Sequence, residues 1–372
     1  MSKQPHPSTL RAHKMGLFAF GSNGVGQLGL SHCEDMDSPT SCADINGVFD
    51  RPNGNTITKI VAGGSHTLIL DRFGSIYYSG ILEPADDSKH TSLIKKKIQM
   101  WYTGAKDCSA TWQATTILTD DGKLFTYGVG DKGELGRGFD IDSCEQVVDQ
   151  TPLEIPRLSQ HGASCVSLAS GLQHTVVVMS TGEVIGWGNG RKGQLGEPAE
   201  VVWEPRKIED IPFKVTRAVC GREFTYLVGD PSQGEHIILG SDKWGVQATA
   251  TDKIPGWKDI GANWGSIFVL LNDGRLLSWG RNDRDQLADF DLPPIEKIAV
   301  GSEHTVALTK SGDVLAWGWG EHGNCGPAME GVGGLRNFKI IPYFSNEKVC
   351  GVGAGCATSW VWTESQDPAP SL

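Results

Sequence analysis

Three stretches carry the glycine spacing that can cradle a pyrophosphate: Gly128-Val-Gly-Asp-Lys-Gly133, Gly188-Asn-Gly-Arg-Lys-Gly193 and Gly318-Trp-Gly-Glu-His-Gly323. A dinucleotide site needs the third glycine to open a helix inside a strand-helix-strand unit. Here Glu-Leu-Gly, Gln-Leu-Gly and Asn-Cys-Gly follow instead, so the spacing reads as turn geometry. His66, His174 and His304 have the residue type of metal ligands, as do His322, Cys325, Cys350 and Cys356. A metal needs its ligands around one ion, whereas the three histidines recur at one position of a repeated phrase. That recurrence favours imidazoles and neighbouring threonines tying strand ends together by hydrogen bonds. The His-Cys set has no zinc-like spacing. There is no G-x-S-x-G elbow, no H-E-x-x-H and no carboxylate pair spaced for acid-base work. The expectation is a chain that is not an enzyme and carries no cofactor. Carboxylates cluster in loops such as Glu34-Asp-Met-Asp37, which suits either solvation or partner recognition.

The elements that position these residues follow from the repeat. Its fullest copy runs Gly301-Ser-Glu-His304-Thr-Val-Ala-Leu, then Ser311-Gly312, then Val-Leu-Ala-Trp317-Gly318. The 14 residues from His304 to Gly318 separate also His66 from Gly80, Ala114 from Gly128, His174 from Gly188 and Ser266 from Gly280. Phe224 to Gly240 is 16, because the turn Asp230-Pro-Ser-Gln-Gly234 is longer. A last first half begins at Ala354-Gly-Cys-Ala357-Thr-Ser-Trp, and Phe18 to Gly29 is a second half with no first half before it. Seven first halves and seven second halves make seven units only if the two ends meet. Short apolar runs joined by Asp-Gly, Ser-Gly or Thr-Gly are hairpin signals, and a period near 50 residues indicates a propeller. The fold expected is all-β: a seven-bladed β-propeller, its ring closed by N-terminal strands joining the C-terminal blade. Each unit has a further strand upstream, as in Ile57 to Ala62, while a fourth strand leaves no clear signal.

Composition bounds the rest. The repeat fills residues 15–363 as one domain without a linker, and the polar, proline-containing ends 1–14 and 364–372 are expected to be disordered tails. A formal charge of -11 argues against a general affinity for nucleic acid. Ile267-Phe-Val-Leu-Leu271, the longest apolar run, is far too short to span a bilayer. Nine cysteines with no Cys-x-x-Cys pair suit a reducing compartment. A monomer in the cytoplasm, with the nucleus as a further compartment, is the expectation.

Residues that break the repeat's own consensus are more informative about partners. Trp112, Arg222 and Trp264 stand where most copies place small or polar residues, with Glu303 and Gln173 in the same phase. In a ring they gather on one rim. Tryptophan and arginine are common interface anchors, and a tryptophan there can equally pack between blades.

The phrases Gly-Gly-Ser-His-Thr-Leu, Asp-Gly-Lys-Leu-Phe-Thr-Tyr-Gly and Trp-Gly-Asn-Gly-Arg-Lys-Gly-Gln-Leu-Gly resemble the regulator-of-chromosome-condensation repeat over nearly the whole chain. That resemblance implies a seven-bladed propeller from a family of GTPase exchange factors and non-enzymatic scaffolds, so the fold alone leaves function open. Phe20 to Pro39, Trp317 to Pro327 and Gly355 to Val361 are similar to the fungal alpha-tubulin-suppressor branch of the family. The branch implies a heterodimer with a small Cys-rich zinc- or iron-binding protein of the diphthamide pathway. It further implies support of Elongator-dependent wobble-uridine modification of tRNA and of diphthamide formation on elongation factor 2, with Elongator engaged indirectly and without direct contact to nucleic acid or membrane. Trp319, Glu321 and His322, in the loop carrying the branch's phrase, join Trp112, Arg222, Trp264 and Glu303 as expected partner-binding residues. Animal secretion-regulating exchange factors carry a similar Trp-Gly-x-x-Glu-His-Gly-x-Cys-Gly phrase, and guanine nucleotide exchange is the alternative function. Two copies depart from the pattern: Gly80-Ile-Leu-Glu-Pro lacks Gln-Leu-Gly, and Leu287-Ala288 replaces Leu-Gly.

Overall fold

A computed structural model describes residues 15–42, 57–82, 95–138, 152–155, 163–288, 291–327, 338–341, 344 and 347–364. The two predicted tails lie outside the described residues, except that the last strand runs through Glu364.

Seven antiparallel sheets form seven blades. Blade I pairs, from the axis outward, Lys348–Ala354, Thr358–Glu364, Met15–Gly21 and Met36–Ser41. Blade II has Ile57–Ala62, His66–Asp71, Ile76–Gly80 and Lys95–Tyr102. Blade III has Ala105–Ala110, Ala114–Thr119, Leu124–Gly128 and Leu153–Glu154, and blade IV Cys165–Ser170, His174–Met179, Val184–Asn189 and Val201–Ile208. Blades V and VI have three strands each: Arg217–Cys220, Phe224–Val228 and His236–Gly240, then Trp257–Ala262, Ser266–Leu271 and Leu276–Gly280. Blade VII completes the ring with Ile295–Val300, His304–Thr309, Val314–Gly318 and Phe338–Ile341. First strands of successive blades touch all the way round, including blade VII with blade I and blade I with blade II. Closure is as expected: Met15–Gly21 lies against Thr358–Glu364 in unbroken register from Met15↔Glu364 to Gly21↔Thr358. Among the described residues no helix is long and apolar enough to cross a membrane.

The core lies between sheets. Second strands such as His66–Asp71, His174–Met179 and His304–Thr309 are buried at every residue. Each is covered by a neighbouring blade on both faces, which is why their sequences are continuous apolar runs and do not alternate. One cluster joins Leu17, Ile57, Ile69, Trp360 and Trp362 across the seam of blades I and II; another joins Phe224, Tyr226, Ile260 and Ile267 across blades V and VI.

The three repeat histidines are seam residues, as their shared phase suggested. His66 Nε2 meets Thr115 Oγ1 of the next blade at 3.0 Å, His174 Nε2 meets Thr225 Oγ1 at 3.0 Å, and His304 Nε2 meets Ser359 Oγ at 2.9 Å. Thr225 and Ser359 donate their hydroxyl hydrogens to the Gln194 and Asn324 carbonyls at 2.8 and 2.6 Å. Each hydroxyl therefore accepts from imidazole, which places the ring proton on Nε2 in His174 and His304. Burial holds all three imidazoles down to a pKa of about 4. Where Phe224 replaces the histidine, the opposing residue is Ile267 and the contact becomes apolar. A Cβ on Gly63, Gly171 or Gly301 would press into the imidazole, and one on Gly221 into the Phe224 ring. Asn263 and Thr111 occupy that position where the residue three later is the small Ser266 or Ala114.

The Gly-x-Gly-x-x-Gly phrases form inter-blade wedges. Gln194 Oε1 accepts the Lys192 amide at 2.9 Å and Gln286 Oε1 that of Arg284 at 2.9 Å, so each glutamine folds its own turn. Carbonyls of the wedges then take donors from the next blade: Trp187 Nε1 to Glu134 O at 2.9 Å, Trp279 Nε1 to Val246 O at 2.7 Å and Trp317 Nε1 to Gln286 O at 3.0 Å. The phrase is a strut between sheets, and among the described residues no helix follows it.

A candidate partner-docking face

One register places all the sequence-predicted site residues on one face of the ring. His66↔Gly80, Ala114↔Gly128, His174↔Gly188, Phe224↔Gly240, Ser266↔Gly280, His304↔Gly318 and Thr358↔Gly21 are directly opposite in their sheets. The turns before each second strand and the wedges after each third strand thus open on the same side, the turn face. Two residues before the seam position stand Gly64, Trp112, Leu172, Arg222, Trp264, Ser302 and Cys356, and of these Trp112, Leu172, Trp264, Ser302 and Cys356 line the mouth of an axial cavity of about 840 Å3. Backbone amides knit this circle: Gly64 to Trp112 at 2.8 Å, Trp112 to Leu172 at 2.8 Å, Trp264 to Ser302 at 2.8 Å and Ser302 to Gly355 at 3.1 Å.

Trp112 and Trp264 belong to blades III and VI, on opposite sides of the axis, yet their rings lie 5.8 Å apart at 49°. The two indoles bridge the mouth, and neither is wedged into a seam. Trp112 remains 39% exposed and rests on Gly64, where a Cβ would meet the indole. The exposed Arg222 guanidinium stands 5.7 Å from the Trp264 ring, a cation-π distance.

Glu303 and Gln173 do not share the phase of Trp112, Arg222 and Trp264 as the sequence suggested, and Glu303 sits elsewhere on this face. One position nearer the seam than the mouth residues, it is ion-paired with Arg281 of blade VI and largely covered. Arg281 also binds Asp283 at 2.6 Å and stands 4.9 Å from the Trp244 ring, which Lys243 approaches at 5.1 Å. Trp319 donates its amide to the Glu303 carbonyl at 3.0 Å and lies 5.5 Å from the His322 ring, edge to face. His322 Nδ1 meets Asp35 Oδ2 of blade I at 2.8 Å, and Glu321 is exposed at the loop tip. The chain Trp244, Arg281, Glu303, Trp319, His322, Asp35 is thus one continuous arc over blades V, VI, VII and I, with Arg222, Trp264 and Trp112 inside it.

Trp244 and Arg281 were not anticipated, and Asp35 was named only as part of the acidic loop Glu34 to Asp37. The signal for Arg281 was present, since it follows Gly280 where other copies have Val129, Asn189 or Ser241. Chemically the arc offers aromatic faces and guanidinium groups, the composition of an interface hot spot. Among the described residues no three His, Cys, Asp or Glu side chains are grouped to hold a metal. Cys350 and Cys356 are separated by most of a strand, about 20 Å of extended chain, and Cys325 is buried with its Sγ 3.7 Å from the Gly318 carbonyl.

Comparison with known proteins agrees with this architecture. The RCC1-like domain matches residues 16–361. An RCC1 repeat-containing protein of Schizosaccharomyces pombe is 30% identical over 94% of this chain and 99% of that protein. The secretion-regulating guanine nucleotide exchange factor of Bos taurus is 26% identical over 91% of this chain and 83% of its own length. Among solved structures, Prp20p from Saccharomyces cerevisiae, studied for its binding to Gsp1p and histones, superimposes with a TM-score of 0.74 at 19% identity, covering 99% of this chain and 97% of that one. Human WBSCR16 superimposes with a TM-score of 0.71 at 16% identity over 96% of this chain and 100% of that one. With its seven blades, its seam histidines and a match spanning the ring, the chain belongs to the RCC1-like family.

Proposed function

We propose that this propeller is a non-catalytic scaffold whose turn face, over blades V to VII and I, docks a partner protein. The observation that carries this is the arc itself: aromatic and arginine side chains that depart from the repeat lie in one contiguous path on one side of one face. The partner is a small Cys-rich zinc- or iron-binding protein of the diphthamide pathway, held as a heterodimer in the cytoplasm and nucleus. Through it the chain supports Elongator-dependent wobble-uridine modification and diphthamide synthesis, with Elongator engaged indirectly. Supporting this finer reading, the phrase Trp317 to Gly326 that resembles the alpha-tubulin-suppressor branch supplies Trp319 and His322 to the arc. A second reading, nucleotide exchange on a small GTPase, draws on the similarity to the Bos taurus exchange factor. Tagging the full chain in its source cells and identifying what copurifies separates them. A stoichiometric Cys-rich metal protein supports the first; a GTPase whose nucleotide release the chain accelerates supports the second and removes the first.

A further inference from the structure

Among the described residues blades V and VI stop at three strands, and they are neighbours. The chain returns from Gly240 to Trp257 and from Gly280 to Ile295, whereas the returns from Asn189 to Arg217 and from Gly318 to Lys348 are long enough to lay down a fourth strand. In blades II and VII, where Lys95–Tyr102 and Phe338–Ile341 pair with the third strand, that strand is buried at five and at four of its five residues. His236–Gly240 and Leu276–Gly280 are half-exposed at every residue. These edges are apolar, with Ile237, Ile238 and Leu239 in one and Leu276, Leu277 and Trp279 in the other.

The hydrogen-bond phase of blade V identifies the open groups. Gly229 donates to the Glu235 carbonyl at 2.8 Å and Ser241 to the Glu223 carbonyl at 2.9 Å. In an antiparallel ladder the paired positions alternate, so Ile237 and Leu239 turn their backbone groups to the second strand while His236, Ile238 and Gly240 turn theirs outward. Residues 241–256 make no backbone hydrogen bond to His236–Gly240. Their hydrogen bonds reach it only at its ends, where Gln247 Nε2 binds the Gly240 carbonyl at 2.8 Å and His236 Nε2 meets the Thr251 carbonyl at 2.7 Å, while Val246 and Ile254 belong to the apolar cluster against which the Ile238 side chain packs. A comparable wedge contact, Thr126 Oγ1 to the Leu135 carbonyl, coexists in blade III with the strand Leu153–Glu154.

We propose that this edge is a strand-addition site: an extended segment of a partner protein, with apolar side chains at its two ends, pairs antiparallel to His236–Gly240 as the fourth strand the blade lacks. In blade VII the corresponding strand is buried at its two ends, Phe338 and Ile341, which lie on opposite faces of the sheet. An exposed sheet edge takes an extended peptide through main-chain bonds, and pockets for alternate side chains supply specificity. The site is continuous with the docking face, because Trp244, Arg222, Trp264 and Arg281 belong to these two blades. The proposal rests on the docking reading only in expecting a protein partner.

Hydrogen exchange on the full chain, free and in the complex recovered with it from source cells, tests the idea. The Ile238 amide should exchange at least about tenfold more slowly in the complex, as a newly bonded edge amide does. Ile238→Pro removes the outward N–H without breaking the inner ladder and should weaken the complex by about tenfold, the worth of one to two hydrogen bonds. Ile238→Val, which keeps the N–H, should bind as the parent does; equal weakening by both variants would assign the effect to side-chain packing and overturn the proposal. Unchanged exchange at Ile238 with protection at Trp264 would overturn strand addition and leave face docking standing; the reverse would overturn face docking alone. Recovery of no partner would overturn both. Dimerisation of the pure chain that Ile238→Pro abolishes would give the edge to a second copy and overturn the assignment to a partner.

Discussion

The seams and the mouth are built by residues two positions apart in the same seven turns, and they vary in different ways. At the seam, substitution is matched across the blade boundary: His66, His174 and His304 face Thr115, Thr225 and Ser359, and Phe224 faces Ile267. At the mouth, Gly64, Trp112, Leu172, Arg222, Trp264, Ser302 and Cys356 follow no such matching. Matched variation marks positions whose requirements lie inside the chain. Unmatched variation toward exposed tryptophan and arginine marks positions whose requirements lie outside it. If this contrast is right, seam variants lose stability and keep affinity, while mouth variants do the reverse.

The largest effect tests the most extended seam. Deleting residues 1–29 removes the strand that pairs with Thr358–Glu364 along its whole length, leaving blade I with an open edge next to Trp360 and Trp362. Exposed edges template aggregation. The truncated chain should lose its cooperative thermal transition and elute as soluble aggregate. A monomer of parental stability would show that the closing strand is dispensable and that seams do not carry the fold.

His304→Ala comes next. It leaves a cavity and strips Ser359 of a buried donor, a loss of about 3 kcal/mol in denaturant unfolding. A pH series sharpens it. Unfolded histidines titrate near 6.5, and the folded ones near 4 because burial disfavours the imidazolium. Between these values the unfolded chain binds more protons, so stability is intact above pH 6.5 and falls as pH drops toward 4, by roughly 3 kcal/mol per histidine. His304→Ala should flatten that limb. Glu134 runs the other way: burial raises its carboxyl to about 7, so its ionisation costs stability as pH rises from about 4.5 to 7. Glu134→Gln, the residue found in three sister wedges, should therefore gain stability at pH 8 and nothing at pH 4. A gain equal at both values would mean that packing and not charge sets the wedge.

On the mouth, Trp264→Ala should weaken partner binding by about 2 kcal/mol, the loss typical of a desolvated aromatic anchor, with a thermal midpoint close to the parent's. Lost stability with retained affinity would reverse the contrast and make the tryptophan bridge a structural tie across the axis.

Much of this was legible in the sequence, for physical reasons. The 14-residue spacing survives because His304 must meet Gly318 in register, and the unmatched half-repeats announced closure because a ring has no ends. Grouping Trp112, Arg222 and Trp264 on one rim followed from phase alone. Their meeting across the axis did not, because the width of the mouth depends on how seven first strands pack. Glu303 was expected to be a partner-binding rim residue, but Arg281, which pairs with it, lies in a wedge whose return path no local pattern reveals. Fourth strands escaped prediction because they follow returns of differing length and, among the described residues, are absent from blades V and VI, although the short returns to Trp257 and Ile295 recorded that absence.

The smallest effect is a coupling, and it asks whether seam matching is a rule that can be written into the chain. At the boundary of blades VI and VII, Ser266 stands in the histidine position and is too short to reach Thr305, whose buried Oγ1 has no partner. The amide nitrogen of Asn263 is buried without a partner as well. In blades with the histidine, the residue three earlier is glycine, because any Cβ there would strike the imidazole. Ser266→His alone should therefore destabilise, since the ring meets Asn263. Asn263→Gly alone should also destabilise, since Asn263 Oδ1 accepts the Gly265 and Ser266 amides at 2.9 and 2.6 Å. Together the two changes reproduce the Gly301, His304 and Ser359 arrangement, give Thr305 a donor and remove both orphaned groups. The double variant still gives up the Asn263 bonds and the Ser266 Oγ bond to the Arg281 carbonyl at 2.8 Å, so it should stay below the parent yet lose about 1 kcal/mol less than the sum of the single losses, the net worth of one buried hydrogen bond. A double-mutant cycle in denaturant measures that coupling, and strictly additive losses would mean that the matching of seam residues is coincidence.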